Sequence, residues 1–188
     1  MKKRPRLLFD VDGVLTHGFT ETFCQVLSQL LGAECRPEDV DQWDIIASFG
    51  AHRVEKEAYD AMREQGVCRA FQPNPGSQEL IAKCQEWADV YAVTAPLGSI
   101  YWPKEREEWL TSLYQLHHHH VASVHDKFIV SGNALVEDKT PNLVAWAEEY
   151  PSGLPILFRI PPNRNDKWKG PEANNYDELY TLLETLRQ

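Results

Sequence analysis

The sequence lacks any long hydrophobic run. Nowhere do about 18 apolar residues follow one another, so no membrane-spanning helix and no membrane partner are expected. The basic start at residues 1–6 leads straight into the short apolar stretch Leu7–Phe9, without the longer apolar region of a signal peptide. We therefore expect a cytoplasmic protein.

Cysteine is scarce and forms no paired motif. The chain has four cysteines and no C-x-x-C pair, too few to staple a protein of this length with disulfides. This excludes a disulfide framework and gives no ligand spacing for a zinc site. We expect reduced thiols at Cys24, Cys35, Cys68 and Cys84.

Basic charge is outnumbered. Nineteen Lys and Arg face 28 Asp and Glu, which gives a net charge of -9. Such a balance repels a polyanion at long range and argues against a nucleic-acid polymer as a partner. A small anionic substrate remains compatible if positive charge is concentrated at one place.

What the sequence does contain is an alternation of strand and helix patterns. With 43% hydrophobic and 25% charged residues over 188 positions, one folded core with a small insertion is expected. Helical spacing occupies 79–87, 105–116 and a C-terminal stretch from Tyr176 that Asn175 can cap. Strand-like apolar runs are Leu7–Phe9, Asp89–Val93, Ala134–Val136 and Pro155–Ile160. The alternation predicts an α/β fold with a parallel sheet.

Residues 16–72 lack a convincing strand and are rich in charged and aromatic side chains. We interpret them as a helical cap inserted after the first strand. The segment Pro73–Gly76 interrupts regular secondary structure, because the residue before each proline disfavours the helical conformation. We take this segment as the return to the core. The predicted core is therefore 1–15 together with 73–188.

Polar residues follow three of the predicted strands. Asp10 and Asp12 come after the first strand, Thr94 after the second and Asp138 after the third. Ligands of open parallel sheets bind beyond the carboxyl ends of the strands, so these groups should converge. Asp10, the Asp12 backbone carbonyl and Asp138 are oxygen ligands suited to Mg²⁺, and Lys127 would offset the negative charge around a phosphoryl group.

Four short motifs resemble those of the haloacid dehalogenase superfamily. They are Asp10–Leu15, Val93–Pro96, Asp126-Lys127 and Leu135–Asp138. The resemblance implies a Rossmannoid three-layer sandwich with a mainly parallel sheet and a small helical cap. More narrowly, the chain is similar to the 5'(3')-deoxyribonucleotidase branch, through Pro73–Gly76, Pro103–Trp109 and a Lys127 placed eleven residues before Asp138.

The resemblance also implies roles for single residues. Asp10 would attack phosphorus and form an aspartyl-phosphate, and Asp12 would act as general acid and base. Thr94 and the backbone N–H of Ala95 would bind phosphoryl oxygens, and Lys127 would stabilise their charge. Magnesium is the implied cofactor, with Asp10, Asp12 and Asp138 as ligands and Glu137 as an outer partner or ligand.

The chain departs from the family pattern at three positions. Ala95 stands where Ser is common, Asn133 where Asp is frequent and Glu137 where Asp is usual. Ala95 keeps its backbone donor and Glu137 keeps its charge. Asn133 loses a charge, which was expected to change how tightly the metal or Lys127 is held.

The predicted substrate is a small phosphomonoester, most specifically a nucleoside or deoxynucleoside monophosphate. Phe19 and Trp43 are the candidates to stack on a nucleobase. Arg106 is a candidate phosphate contact, with a charge on a helix surface as its alternative. Cys68 occupies a position where the branch has a pocket aromatic. The resemblance further suggests a homodimer.

Three other functions stay open at this level. The chain could dephosphorylate another small metabolite such as a sugar phosphate, or it could be a catalytically silent protein that binds a phosphorylated ligand. Processing of polynucleotide ends is disfavoured by the acidic balance. The intact set of Asp10, Asp12, Lys127 and Asp138 argues against a silent site.

A run of four histidines, His117–His120, lies inside the chain. Imidazole binds zinc, copper and nickel, but four adjacent side chains cannot all face one ion. We interpret the run as a solvated loop before the strand-like stretch 121–125.

Overall fold

The protein is built on a parallel sheet, as the sequence predicts. The computed structural model describes residues 3–187. Its six-stranded sheet has the order β3-β2-β1-β4-β5-β6, and every neighbouring pair is parallel. The strands are β1 (Arg6–Phe9), β2 (Asp89–Thr94), β3 (Val121–Ser123), β4 (Ala134–Glu137), β5 (Leu154–Phe158) and β6 (Glu172–Ala173). The predicted α/β class is confirmed.

Helices fill the intervals between the strands. They are α1 (Gly18–Leu31), α2 (Ile45–Ser48), α3 (Glu55–Met62), α4 (Ser77–Gln85), α5 (Trp102–Tyr114), α6 (Thr140–Glu149) and α7 (Tyr176–Glu184). The predicted cap of α7 is present, because Asn175 Oδ1 accepts a hydrogen bond from the Glu178 backbone N at 2.9 Å. Across residues 3–187 no helix is long and apolar enough to cross a membrane.

The sheet buries both of its faces. Leu7 and Phe9 of β1 join the larger apolar cluster, whereas Leu8 between them joins the smaller one. This follows from the alternation of side chains along a strand. Leu143 and Trp146 of α6 close the smaller cluster, and buried residues of α1, α4, α5 and α7 close the larger. The result is the predicted three-layer arrangement, which holds the carboxyl ends of the strands rigid.

The stretch between β1 and β2 contributes helices, with an isolated bridge between Asp12 and Thr16 outside the named strands. Within it α1 packs against α3, where the Phe23 and Tyr59 rings meet edge to face at 5.0 Å. The division into a core (1–15, 73–188) and a cap (16–72) stays a prediction.

Candidate active site

The turn after β1 depends on Gly13. Its φ of +84° lies in the left-handed region, which is strained for residues with a Cβ. A Cβ at this position would also overlap the Asp138 carboxylate. The turn is fixed by hydrogen bonds from Gly13 N to Thr16 O and from Thr16 N to Val11 O. Glycine is therefore required for the β1 and β4 loops to approach each other.

Carboxylates and one lysine meet at the carboxyl ends of β1 and β4. Lys127 Nζ lies 2.5 Å from Asp10 Oδ1 and 2.7 Å from Glu137 Oε2. Carboxylate oxygens of Asp10, Glu137 and Asp138 lie within 4.8 Å of one another, and all three residues are buried. Thr94 is buried at the end of the adjacent strand β2. The structure thus brings Asp10 and Asp138 together with Lys127 and places Thr94 at the end of the neighbouring strand.

The charges of this cluster are strongly perturbed. Burial, and next the charge of Glu137, raise the pKa of Asp10 to about 8, although Lys127 opposes this shift. Burial, and next the charges of Glu137 and Asp10, raise the pKa of Asp138 as well. Burial would raise the pKa of Glu137 too, but Lys127 and the other donors overcome it and lower that pKa to about 2. One buried ammonium does not compensate three buried carboxyls, so the site favours a further cation.

Asp138 and Glu137 differ in the hydrogen bonds that their carboxylate oxygens accept. Glu137 Oε2 accepts from Lys127, and its Oε1 accepts from the backbone N of Asp138 and Lys139 at 3.2 and 3.0 Å. Asp138 Oδ1 is buried and has no hydrogen-bond partner among residues 3–187. A buried carboxylate oxygen without a donor is costly unless a ligand or ion completes it. Asp138 is therefore better prepared than Glu137 to bind a cation directly.

Asn163 supports the loop after β4 and was missed by sequence reasoning. Its buried Nδ2 donates to the backbone oxygens of Asp138 and Phe158, both at 2.8 Å. It lies in an irregular Pro-Pro-Asn stretch, where no periodicity or motif marks it. It joins the ends of two neighbouring strands and so helps to position Asp138.

Asp12 is paired with a buried arginine. The Nη2 atom of Arg106 lies 2.8 Å from each of the two Asp12 carboxylate oxygens. The Arg106 side chain is only 2% exposed, whereas Asp12 is 29% exposed. Burial, the largest single cause, would lower the pKa of Arg106, but the charge and hydrogen bond of Asp12, together with Cys68 and Asp10, outweigh it and raise that pKa. The alternative of a charge on a helix surface is therefore wrong.

An aromatic cage surrounds the Arg106 guanidinium. Its carbon lies 5.3 to 5.7 Å from the ring centroids of Trp102, Phe71 and Trp109. Nε and Nη1 are buried and unpaired within the described chain. Within the described chain Asp12 is the hydrogen-bond partner of this side chain, so Arg106 holds the Asp12 carboxylate in place.

Three residues of the carboxylate cluster, Asp10, Lys127 and Asp138, line a cavity of about 320 Å³. This is the lower end of the range for small-molecule sites. The predicted residues Ala95, Phe19 and Trp43 line it together with Asp10 and Asp12. Further lining residues that sequence reasoning missed include Gln42, Tyr59, Lys139, Asn142 and Ile160.

Thr94, Glu137 and two further residues that the sequence singles out lie outside the cavity lining. Arg106, a candidate phosphate contact, lies outside the residues that line the cavity and is engaged by Asp12. Asn133 precedes β4 at the opposite edge of the sheet, where its Oδ1 accepts from Arg6 N at 2.8 Å. The expectation that Asn133 influences Lys127 or the metal is therefore not supported by its position.

The fold is shared by solved haloacid dehalogenase-like hydrolases. A subfamily IA hydrolase of that superfamily from Geobacter sulfurreducens covers 96% of both chains, with 14% identity and a TM-score of 0.58. The magnesium-bound HAD-hydrolase YfnB from Bacillus subtilis covers 97% of this chain and 99% of its own, with 16% identity and a TM-score of 0.52. At these identities the likeness shows the fold alone. Fold and sequence motifs together define a haloacid dehalogenase-like hydrolase.

Within that class, the chain belongs to the family described as 5' nucleotidase, deoxy (Pyrimidine), cytosolic type C, which matches residues 4–188. A relative from Staphylococcus aureus strain Mu50, provisionally named a 5'(3')-deoxyribonucleotidase, is 29% identical over 128 residues. The match covers 64% of this chain and 68% of the relative. The chain is therefore an enzyme of the phosphatase and nucleotidase class, and the predicted branch is confirmed.

Proposed function

We propose that the protein hydrolyses nucleoside or deoxynucleoside monophosphates through an aspartyl-phosphate on Asp10, with Mg²⁺ as cofactor. One observation carries the proposal. Asp10, Lys127 and Asp138 line the same cavity as several aromatic rings, and Glu137 lies behind them, paired with Lys127. The charged residues of this cavity suit the phosphate of a nucleotide, and its aromatic residues suit the base.

Asp10 is the proposed nucleophile. It stands at the end of β1, lines the cavity and is held by Lys127 at 2.5 Å. Attack on phosphorus would form the acyl phosphate and release the nucleoside, and water would then break the new bond. Lys127 would neutralise charge on the phosphoryl oxygens, where the catalysis of phosphoryl transfer mostly lies. The Thr94 hydroxyl and the backbone N–H of Ala95 are the proposed donors to these oxygens.

The donor set fits magnesium. Asp10 and Asp138 offer hard carboxylate oxygens, Asp138 Oδ1 has no other partner within residues 3–187, and the excess negative charge requires a cation. The Asp12 backbone carbonyl is the third proposed ligand, and Glu137 is the outer partner because both its oxygens are engaged. When bound, Mg²⁺ supplies positive charge to the phosphoryl group.

Asp12 is the proposed general acid and base. It lines the cavity next to Asp10, is partly exposed and can reach a leaving oxygen or a water molecule there. The contact with Arg106 fixes the carboxylate at one place in the cavity. Arg106 would then act as a positioning residue and not as a phosphate ligand.

Arg106→Met should lower kcat with little change in KM. The substitution keeps an apolar chain inside the aromatic cage but removes the hydrogen bonds to Asp12, so we expect kcat to fall by about 100-fold. Steady-state kinetics with a nucleotide substrate checks this, and Arg106→Lys should recover part of kcat. A large rise in KM at unchanged kcat would instead indicate that Arg106 binds phosphate.

The upper cavity carries the proposed nucleobase contacts. Phe19 stacks on Phe23 at 5.6 Å and so presents a fixed ring to the cavity. Trp43 is 38% exposed, and Lys139 Nζ lies 5.1 Å from its ring centroid. Rigid or braced aromatic faces stack on bases with little loss of entropy.

Trp43→Ala should raise KM for nucleotides by about 5- to 150-fold, because base stacking is worth about 1–3 kcal/mol. KM for a base-free substrate such as ribose 5-phosphate should hardly change. The matched control is Tyr101→Ala, since Tyr101 is similarly exposed at 37% but is not among the cavity-lining residues. Equal effects on both substrates would contradict a nucleobase role for Trp43.

The proposed activity is tested with a substrate panel. Phosphate release is measured from nucleoside monophosphates, deoxynucleoside monophosphates and sugar phosphates, with magnesium and with chelator. We expect nucleotides to be hydrolysed fastest and chelator to abolish release. Preference for sugar phosphates would retain the chemistry and reject the nucleotide assignment, whereas binding without turnover of any member would support a silent phosphate-binding protein.

A further inference from the structure

The loop before β3 presents three adjacent imidazoles as one cluster. His118–His120 form a 3-10 turn, and His117 precedes it with extended backbone angles (φ -67°, ψ 141°). One ring nitrogen from each of His117, His118 and His119 lies within 4.8 Å of the other two. All three side chains are exposed. The expectation that all four side chains cannot face one ion is not contradicted, but the tight turn brings three of them together.

The turn is anchored to the sheet by its fourth histidine. His120 Nδ1 lies 3.0 Å from Val90 O, and its ring stacks on Tyr91 with centroids 4.2 Å apart. On the other side of the turn, His117 Nδ1 accepts a hydrogen bond from the His119 backbone N at 3.2 Å. These contacts hold the backbone in place. The hydrogen bond from the His119 backbone uses His117 Nδ1 and does not involve His117 Nε2.

The cluster is separate from the carboxylate site. His120 packs against Val90 and Tyr91, in the first half of β2. Thr94 lies at the carboxyl end of that strand, which is the end where the carboxylate site lies. The histidine turn directly precedes β3, which is parallel to β2, so it lies at the opposite edge of the sheet. A ligand of the cluster would not compete with the phosphomonoester.

We propose that His117, His118 and His119 bind one divalent ion of the Zn²⁺, Ni²⁺ or Cu²⁺ type. Imidazole nitrogen suits these ions, whereas Mg²⁺ prefers oxygen, so the two sites differ in chemistry. Tetrahedral zinc bound at about 2.0–2.1 Å places its nitrogen ligands about 3.4 Å apart. The three nitrogens need to approach one another only slightly, which exposed rings achieve by rotation about their side-chain bonds. Water would fill the fourth position.

The site is tested with untagged protein and zinc chloride. Isothermal titration is performed in excess Mg²⁺, so that the carboxylates do not take up zinc. We expect one Zn²⁺ per chain. The double substitution His118→Gln and His119→Gln should weaken binding by at least about tenfold, because it removes two of three ligands. Unchanged circular dichroism would show that the variant is folded.

The matched control is His52→Gln, which removes a histidine that is also exposed, at 66%, but lies outside the cluster. It should bind zinc as the wild type does. Electron paramagnetic resonance of the Cu²⁺-loaded wild type should show coupling to several nitrogens, which the double variant should lose. Absence of zinc binding, or binding that the double variant retains in full, would overturn the proposal.

Discussion

Asp10→Asn should abolish turnover while the protein stays folded. The amide has the shape of the carboxylate but cannot attack phosphorus to give an acyl phosphate, so kcat should fall by at least about a thousandfold. Phosphate release from a nucleotide in magnesium is the measurement. The control is Asp89→Asn, the same chemical change at the start of β2, where Asp89 pairs with Arg4 at 3.3 Å. Appreciable activity of Asp10→Asn would contradict a covalent mechanism.

The same variant should be at least as stable as the wild type in chelator at pH 7. Burial, then the charge of Glu137, raise the folded-state pKa of Asp10 from 3.8 to about 8. A raised carboxyl pKa means that the folded state binds the proton more tightly than the unfolded state, so stability falls as pH rises from 3.8 to about 8. Asparagine does not titrate, so the Asp10→Asn variant does not lose stability in this way as the pH rises. Thermal melts at pH 5 and pH 7 should therefore differ less for the variant than for the wild type.

Lys127→Met should destabilise the protein strongly and make its stability depend on magnesium. The ammonium is buried between Asp10 and Glu137, and its removal leaves three neighbouring carboxyls without a compensating cation. Breaking a buried ion pair from one side costs about 3–5 kcal/mol. Chemical denaturation in chelator measures this loss, and added Mg²⁺ should recover a large part of it because the ion binds the folded state. Activity should also fall.

The control for this variant is Lys104→Met. Lys104 is 81% exposed and lies 3.8 Å from Glu108 on the surface of α5, so its removal should hardly move the denaturation midpoint. A Lys127→Met protein as stable in chelator as Lys104→Met would show that the carboxylate cluster does not need a cation.

Much of the fold and of the catalytic edge could be predicted from local patterns. The runs that became β1, β2 and β4 are short, apolar and followed by polar residues, and parallel strands bring such ends to one edge. This rule was sufficient to place Asp10 and Asp138 together and Thr94 at the end of the neighbouring strand. Helices α4, α5 and α7 followed from their spacing, within a few residues at their ends.

Other features depend on contacts between distant parts of the chain. The partner of Asp12 is Arg106, 94 residues away, and no pattern in the sequence connects them. Asn163 acts through the backbone oxygens of Asp138, after β4, and of Phe158, at the end of β5, and a sequence does not display such contacts. Strand β6 has only two residues, too few for a periodic signal. The predicted strand Pro155–Ile160 ends at Phe158, before the Pro-Pro pair, and α6 was not predicted.

The most direct test of the account is to trap the covalent intermediate. The wild-type protein is mixed with a deoxynucleoside monophosphate that carries radiolabelled phosphate, in magnesium, and is quenched with acid within a single turnover. We expect a protein-bound label that hydroxylamine releases, located on the peptide that contains Asp10. Rapid formation of free phosphate with no protein-bound label at any time of quenching would contradict it.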